Sequence, residues 1–323
     1  MMDEKKRQFR LLVQTVRGKL LYDEPLSEHT SFKIGGPADF VFFPKDIEDL
    51  AAFVRLCETE RIPRFVIGRG TNLLVADAGF RGVVVDLSKS FNGVAASGLT
   101  VTAGAGVQLW DLLLTCTERG LSGMESLAGI PGSVGGGIRL NAGAHGAEVK
   151  DCLMNVAFVD PAGSLLIRAR NEIRMEYRNT DLPEGGVIVQ AQFQMKEGSP
   201  SAIEAAQKAI LARRKANQPL SLPSAGSVFK RPPGDYAGRL IEEAGLKNLR
   251  IGDAMVSGKH ANFIVNCQSA SASDVIRLIE EIQERVSARF GVMLEPEIHF
   301  LGFEKMEMER GPSARIRRID ADK

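Results

Sequence analysis

Apolar residues fall at helical spacing in several stretches of the chain. Phe9, Leu12, Val13, Val16 and Leu20 predict an amphipathic helix near its start, and Leu50, Phe53, Val54 and Cys57 predict another over 46–61. Val275, Leu278, Ile279, Ile282, Val286 and Phe290 form the apolar face of a long helix near the other end. Helices are also expected over 107–119 and 202–216. Elsewhere the period changes to two. Val189, Ala191, Phe193 and Met195 alternate with Gln190, Gln192 and Gln194, which predicts a strand with one solvated face. Phe65-Val66-Ile67 and Val83-Val84-Val85 are short buried strands by the same reading. Residues 30–44 read as strand around the turn Gly35-Gly36-Pro37, and strands are expected over 261–266 and 293–300. Helices and strands mixed in this way predict an α+β fold.

The chain has 323 residues, enough for about two domains. Composition shifts at Lys196-Glu197-Gly198-Ser199-Pro200. We therefore expect one domain over 1–199, in two lobes of about 20–95 and 96–199, and a second over 200–310. The polar, basic stretch 311–323 is expected to be a disordered tail.

Lys and Arg total 41 against 40 Asp and Glu, a net charge of +1, which argues against a general nucleic-acid binder. It leaves room for a small cationic pocket. Cys57, Cys116, Cys152 and Cys267 are widely spaced and form no CxxC pair, so reduced thiols are expected rather than a metal site or a disulfide framework. The charged start leads into no long apolar stretch. Neither a signal peptide nor a membrane span is expected, and the cytoplasm is the expected compartment.

Two glycine-rich loops carry the first chemical signal. Gly68-Arg69-Gly70-Thr71-Asn72-Leu73 follows a predicted strand, and its successive N–H groups can form a nest for phosphate oxygens. It is no Rossmann fingerprint, because Leu73 stands where a third glycine is needed. A plain strand-to-loop turn explains it equally well. The second loop is Gly129-Ile130-Pro131-Gly132-Ser133-Val134-Gly135-Gly136-Gly137, with Asn141-Ala142-Gly143 soon after. So many glycines lose much conformational entropy on folding, and such loops commonly exist for close backbone approach to a ligand. Two loops without a Rossmann helix suggest a dinucleotide held by backbone amides.

These phrases, together with 31–39, resemble the FAD-binding domain of the vanillyl-alcohol oxidase or p-cresol methylhydroxylase type. Within that superfamily the chain from about 31 to 302 resembles the UDP-N-acetylenolpyruvoylglucosamine reductase family. The short stretch between Arg178 and Ser227 resembles the class that lacks an inserted tyrosine loop. The resemblance implies a two-lobed FAD-binding domain and a C-terminal α+β substrate-binding domain. It implies FAD contacts at Gly68, Arg69, Gly70, Thr71, Asn72, Leu73, Gly129, Ile130, Pro131, Gly132, Ser133, Gly136, Asn141, Ala142 and Gly143. It also implies NADPH as hydride donor, UDP-N-acetylglucosamine enolpyruvate as substrate and a monomeric enzyme. His145 and Arg139 depart from the residues common in the family near the flavin loop.

The resemblance places the catalytic set at Arg178, in Glu176-Tyr177-Arg178-Asn179; Ser227, in Ser224-Ala225-Gly226-Ser227-Val228-Phe229-Lys230; and Glu297, in Leu294-Glu295-Pro296-Glu297. That trio suits reduction of an enolpyruvyl ether. Hydride added to the terminal carbon pushes charge toward the carboxylate. An arginine fork and a carboxyl group can stabilise that charge. A serine can protonate the strongly basic carbon beside it. Tyr177, Lys215, Lys230, Arg231 and His260 are the implied substrate-binding residues. By spacing alone, Ser227 is a turn serine and Arg178 a surface arginine. Two other functions stay open at this point: another oxidase of the same flavoprotein superfamily, and a nucleotide-sugar sensor without catalysis.

Overall fold

A computed structural model describes residues 16–303. The chain divides into two compact units. The first comprises residues up to Tyr22, Asp39–Arg69 and Gly82–Ala212; the second comprises Asp23–Ala38, Gly70–Arg81 and the chain from Arg213 onward. This division differs from the single boundary at residue 199 read from the sequence.

The first unit is built on a five-stranded antiparallel sheet in the order Leu165–Ala169, Leu153–Val159, Val187–Gln194, Thr100–Gly104, Val94–Ser97. The alternation read over 189–195 is realised here. Val189, Ala191 and Phe193 are buried, whereas Gln190 and Gln194 are exposed. Gln192 joins a polar row across the other face, accepting from Asn155 Nδ2 at 2.8 Å and donating to Thr102 Oγ1 at 3.3 Å. A four-stranded sheet runs in the order Lys19–Pro25, Pro37–Phe43, Phe80–Asp86, Arg64–Ile67, with the last two parallel. The helices Ile47–Thr59 and Leu109–Glu118 bury the apolar stripes their spacing predicts. Asp46 caps the first of them by accepting the Asp49 N–H at 2.9 Å. One continuous hydrophobic cluster extends through the unit from Phe40 to Met195.

The second unit has a four-stranded antiparallel sheet in the order Ser224–Ser227, Phe263–Asn266, Ala254–Val256, Arg250–Ile251. The helix Ala272–Phe290 covers it with Val275, Leu278, Ile279, Ile282 and Val286. A capping box between Ser271 and Asp274 starts this helix, and Gly291 at φ 67° ends it. Long-range contacts draw the earlier segments into the unit. Leu73–Val75 pairs in parallel with His299–Leu301. Asp77 accepts the N–H groups of Ala272 and Ser273 at 2.7 and 3.0 Å. Asn266 Nδ2 donates to Phe32 O at 3.2 Å.

Several expectations need correction. Val16 lies in no helix and Leu20 lies in the strand Lys19–Pro25, while Phe9, Leu12 and Val13 lie outside the described residues, as does the tail 311–323. The strand expected over 30–44 is confined to Pro37–Phe43. Before it the backbone turns through positive φ at Lys33 and Gly35, where a ladder cannot continue. The strand expected over 293–300 pairs regularly only at His299–Leu301. Pro296, which has no N–H, sits in an isolated bridge.

Candidate active site

In the first unit the strand Arg64–Ile67 releases the chain into Gly68 and Arg69. Neither of their N–H groups donates to an acceptor among the described residues. A Cβ on Gly68 would lie 2.0 Å from Ser133 Oγ, so only glycine lets the second glycine loop close against this one. That second loop is firmly tied. Leu109 N–H donates to Gly132 O at 3.0 Å, Val134 N–H to Val107 O at 2.8 Å and Gly135 N–H to Ala105 O at 2.9 Å. The sequence reading expected no helix here, but a short one, Val134–Arg139, follows directly. Buried Ser133 caps it through its hydroxyl, and its glycines allow the close approach to Ala105 and Leu109 that a larger residue would block.

The same unit brings Asn141 and Arg178 together. Asn141 is fully buried at φ 41°. Its Nδ2 donates to Glu148 Oε2 at 2.9 Å and to Glu176 O at 3.1 Å, and its Oδ1 accepts the Lys150 N–H at 3.2 Å. Met175–Glu176 pairs with Asn179–Thr180, which leaves Tyr177 and Arg178 as the hairpin connection. Arg178 takes φ 57°, an uncommon conformation for a side-chain-bearing residue and a local strain that surrounding contacts must hold. Its guanidinium lies 4.8 Å from the Tyr177 ring, and its Nη2 makes a long 3.5 Å bond to Gly143 O. Thr180 Oγ1 anchors the far side of the hairpin on Ile138 O at 2.5 Å, a role the sequence reading missed.

The two departures near this loop now have places. His145 and Gly146 form a turn with positive φ at both positions, between Gly143–Ala144 and Ala147–Glu148, and His145 is exposed at its tip. Arg139 donates to Leu182 O at 3.4 Å, and burial pushes its guanidinium below the ordinary value. Burial also pushes the Cys57 and Cys116 thiols up to about 12, so both stay protonated near neutral pH.

In the second unit Gly70, at φ 56°, is packed so that a Cβ would meet His29 O at 2.1 Å. The N–H groups of Gly70 and Asn72 find no acceptor among the described residues. Asn72 O accepts from His299 N at 3.0 Å, and its Nδ2 donates to Glu297 O at 3.1 Å. Leu73, expected as a flavin contact, is buried in the strand beside His299.

Ser227 ends the strand Ser224–Ser227. Its pairing with Phe263 follows a register shift in which Gly226 takes φ 80°. The Ser227 hydroxyl is half-buried and makes no hydrogen bond among the described residues. Directly after it, Val228 O accepts the Glu297 N–H at 2.7 Å and Lys230 N–H donates to Glu295 O at 2.8 Å. Ser227, Glu297 and Asn72 are thus gathered in one neighbourhood. Arg178 belongs to the first unit.

The expected substrate residues are differently placed. Lys230 pairs with Glu295 at 2.5 Å. Arg231 lies over the Tyr236 ring at 4.1 Å. Lys215 is exposed, and its carbonyl accepts from Lys259 Nζ at 2.6 Å. His260 Nδ1 accepts the Asn262 N–H at 3.2 Å, which leaves Nε2 as the donor of a neutral ring. Burial, the largest cause, lowers its pKa, with Lys247 adding to the effect.

Residues 218–301 match the family model described as UDP-N-acetylenolpyruvoylglucosamine reductase, C-terminal domain, and residues 38–167 match that of an FAD binding domain. The chain is 45% identical over 286 residues to the UDP-N-acetylenolpyruvoylglucosamine reductase of Caldanaerobacter subterraneus subsp. tengcongensis, covering 88% of this chain and 94% of that protein. It is 42% identical over 285 residues to that of Lachnoclostridium phytofermentans, covering 87% of this chain and 92% of that protein. It also resembles the crystal structure of UDP-N-acetylenolpyruvylglucosamine reductase from Thermus caldophilus. The TM-score is 0.76 at 36% identity, over 88% of this chain and 99% of that chain.

Proposed function

The chain belongs to the family of UDP-N-acetylenolpyruvoylglucosamine reductases, and on that premise we propose that it reduces UDP-N-acetylglucosamine enolpyruvate to UDP-N-acetylmuramate, with FAD as cofactor and NADPH as hydride donor. This is a step of peptidoglycan precursor synthesis, and it links the enzyme to cell shape and division. We assign it to the cytoplasm as a monomer. No helix among the described residues is long and apolar enough to cross a membrane.

The donor set suits a diphosphate-bearing cofactor. The N–H groups of Gly68, Arg69, Gly70 and Asn72, which find no acceptor among the described residues, would hold it, and the glycines of 129–137 would let the backbone come close. When bound, FAD supplies a two-electron carrier between the nicotinamide and the enolpyruvyl double bond. The protein's part is to bind, orient and protonate. The Arg178 fork pairs with the substrate carboxylate and steadies the charge that builds there when hydride reaches the terminal carbon. Ser227 Oγ holds the proton that moves to the adjacent carbon. A carboxyl O–H of Glu297 donates to the enolate-like charge at that end. Lys215, Lys230, Arg231, Tyr177 and His260 bind the diphosphate sugar. Lys230 can exchange its exposed pairing with Glu295 for a phosphate at small cost.

One observation above all supports this assignment. The Glu297 N–H donates to Val228 O at 2.7 Å, so the segment that carries Glu297 is laced to the residue beside Ser227, whose hydroxyl has no partner among the described residues. The test is Ser227→Ala, followed anaerobically by flavin absorbance. Bleaching by NADPH should stay within about twofold, and recovery with the enolpyruvyl sugar should slow by about 10²–10⁴-fold. Recovery at the normal rate removes Ser227 from the mechanism. Recovery only with oxygen points to an oxidase.

A further inference from the structure

Past Ser227, regular pairing with the strand Phe263–Asn266 stops, yet the backbone does not go unsupported. Asn262 takes over. Its Oδ1 accepts the Phe229 N–H at 3.0 Å, and its Nδ2 donates to Phe229 O at 2.8 Å. Its own carbonyl accepts the Val228 N–H at 2.8 Å. The primary amide thus makes both bonds that a residue opposite Phe229 would make in an antiparallel ladder. Phe229 needs this partner. It faces Pro296 across an isolated bridge whose hydrogen bonds belong to its neighbours, Val228 with Glu297 and Lys230 with Glu295. Its own N–H and C=O therefore point the other way, toward Asn262. The three-residue segment 228–230 is fixed on one edge by an amide side chain and on the other by the segment that carries Glu297.

We propose that Asn262 is a positioning residue that sets Ser227 and Glu297 relative to one another. It is 8% exposed, and both ends of its amide are used on the Phe229 backbone, so it acts through that backbone. An amide offers one donor and one acceptor side by side, which the backbone pair requires. A carboxylate offers two acceptors and repels Phe229 O. A protonated carboxyl group restores the donor. This role rests on the assignment of Ser227 as proton donor.

The experiment compares Asn262→Ala, Asn262→Asp and Ser227→Ala as flavin-loaded enzymes, with the two half-reactions timed separately by stopped flow. Asn262→Ala should slow flavin recovery by the enolpyruvyl sugar on the order of 10²-fold, because small misplacements of reacting groups carry costs of that size. Its reduction by NADPH and its apparent Kd for the sugar should stay within about threefold. The solvent deuterium isotope effect on recovery should rise as proton transfer becomes limiting. Asn262→Asp should show a signature that a mere loss of stability does not: recovery should be slow at about pH 8 and accelerate about tenfold as the pH falls to about 5.5, where the buried carboxyl group is neutral. Wild type should not accelerate in this way. Unchanged recovery in both Asn262 variants overturns the proposal. So does a parallel loss of both half-reactions or of bound flavin, which would make Asn262 a fold support only. If Ser227→Ala recovers normally, the assignment of Ser227 fails, and the pH signature of Asn262→Asp still reports whether the amide tunes the site.

Discussion

Arg178 and Ser227 are held by opposite means. Arg178 sits at the tip of a hairpin whose paired strands are two residues each, in a left-handed conformation. What keeps it there is side-chain tethering from below: Asn141 on Glu176 O and Thr180 on Ile138 O. Ser227 stands at the end of a sheet strand, and the segment after it is hydrogen-bonded along both edges. One residue is strained and locally supported; the other has no positive φ and ends a sheet strand. The lesson is that a flexible, charged group needs a fixed base more than a fixed side chain. A short hydroxyl has no reach of its own, and the backbone must place it.

The sharpest way to break this contrast is at Arg178 itself. Arg178→Lys keeps the charge and loses the planar fork, so kcat/KM should fall by about 10²–10³-fold. Arg178→Gly should remove activity and yet leave Tm unchanged or slightly raised, because glycine tolerates φ 57° without strain. A large drop in Tm would show that the guanidinium is part of the fold.

Next in size is the tether. Asn141→Ala strips three hydrogen bonds from a fully buried position and should destabilise the protein by about 2–3 kcal/mol in denaturant unfolding. It should also loosen the hairpin and raise KM. If KM holds while stability falls, the hairpin does not depend on this support.

Gly68→Ala probes the contact of the glycine loops. The new methyl would press on Ser133 Oγ, at a cost of about 1–3 kcal/mol, with weaker flavin retention on dialysis. Ser133→Ala should rescue part of the loss, and a double-mutant cycle measures the coupling. No coupling would mean that the loops do not constrain each other.

The smallest effect belongs to His260. Its folded pKa is below the ordinary imidazole value of 6.5, so between those two values the unfolded chain binds more protons than the folded one. The stability this contributes is therefore present above about pH 6.5 and is lost as the pH falls toward the folded value. His260→Gln should flatten that slope in a pH series of Tm. An identical slope would locate the acid sensitivity elsewhere.

The sequence determined by itself what depends on near neighbours. The stripes read over 46–61 and 275–290 and the alternation read over 189–195 are local periodicities, and the structure realises them within a few residues. The motifs around Arg178, Ser227 and Glu297 were legible only because their wording resembles a family; spacing alone left each a commonplace polar residue. What depends on distant partners stayed hidden. The predicted strand through 293–300 pairs regularly only from His299 because Pro296 cannot donate, and the glycine loop runs into a helix because residues 105–109 pin its start. Residues 23–38 and 70–81 join the unit of the C-terminal half through Asn266, Asp77 and the parallel pairing of Leu73–Val75. Asn141 and Asn262 look in sequence like any loop asparagine. Tertiary structure decided that each would be buried with its amide fully used, since a buried amide is stable only where the fold returns both a donor and an acceptor to it.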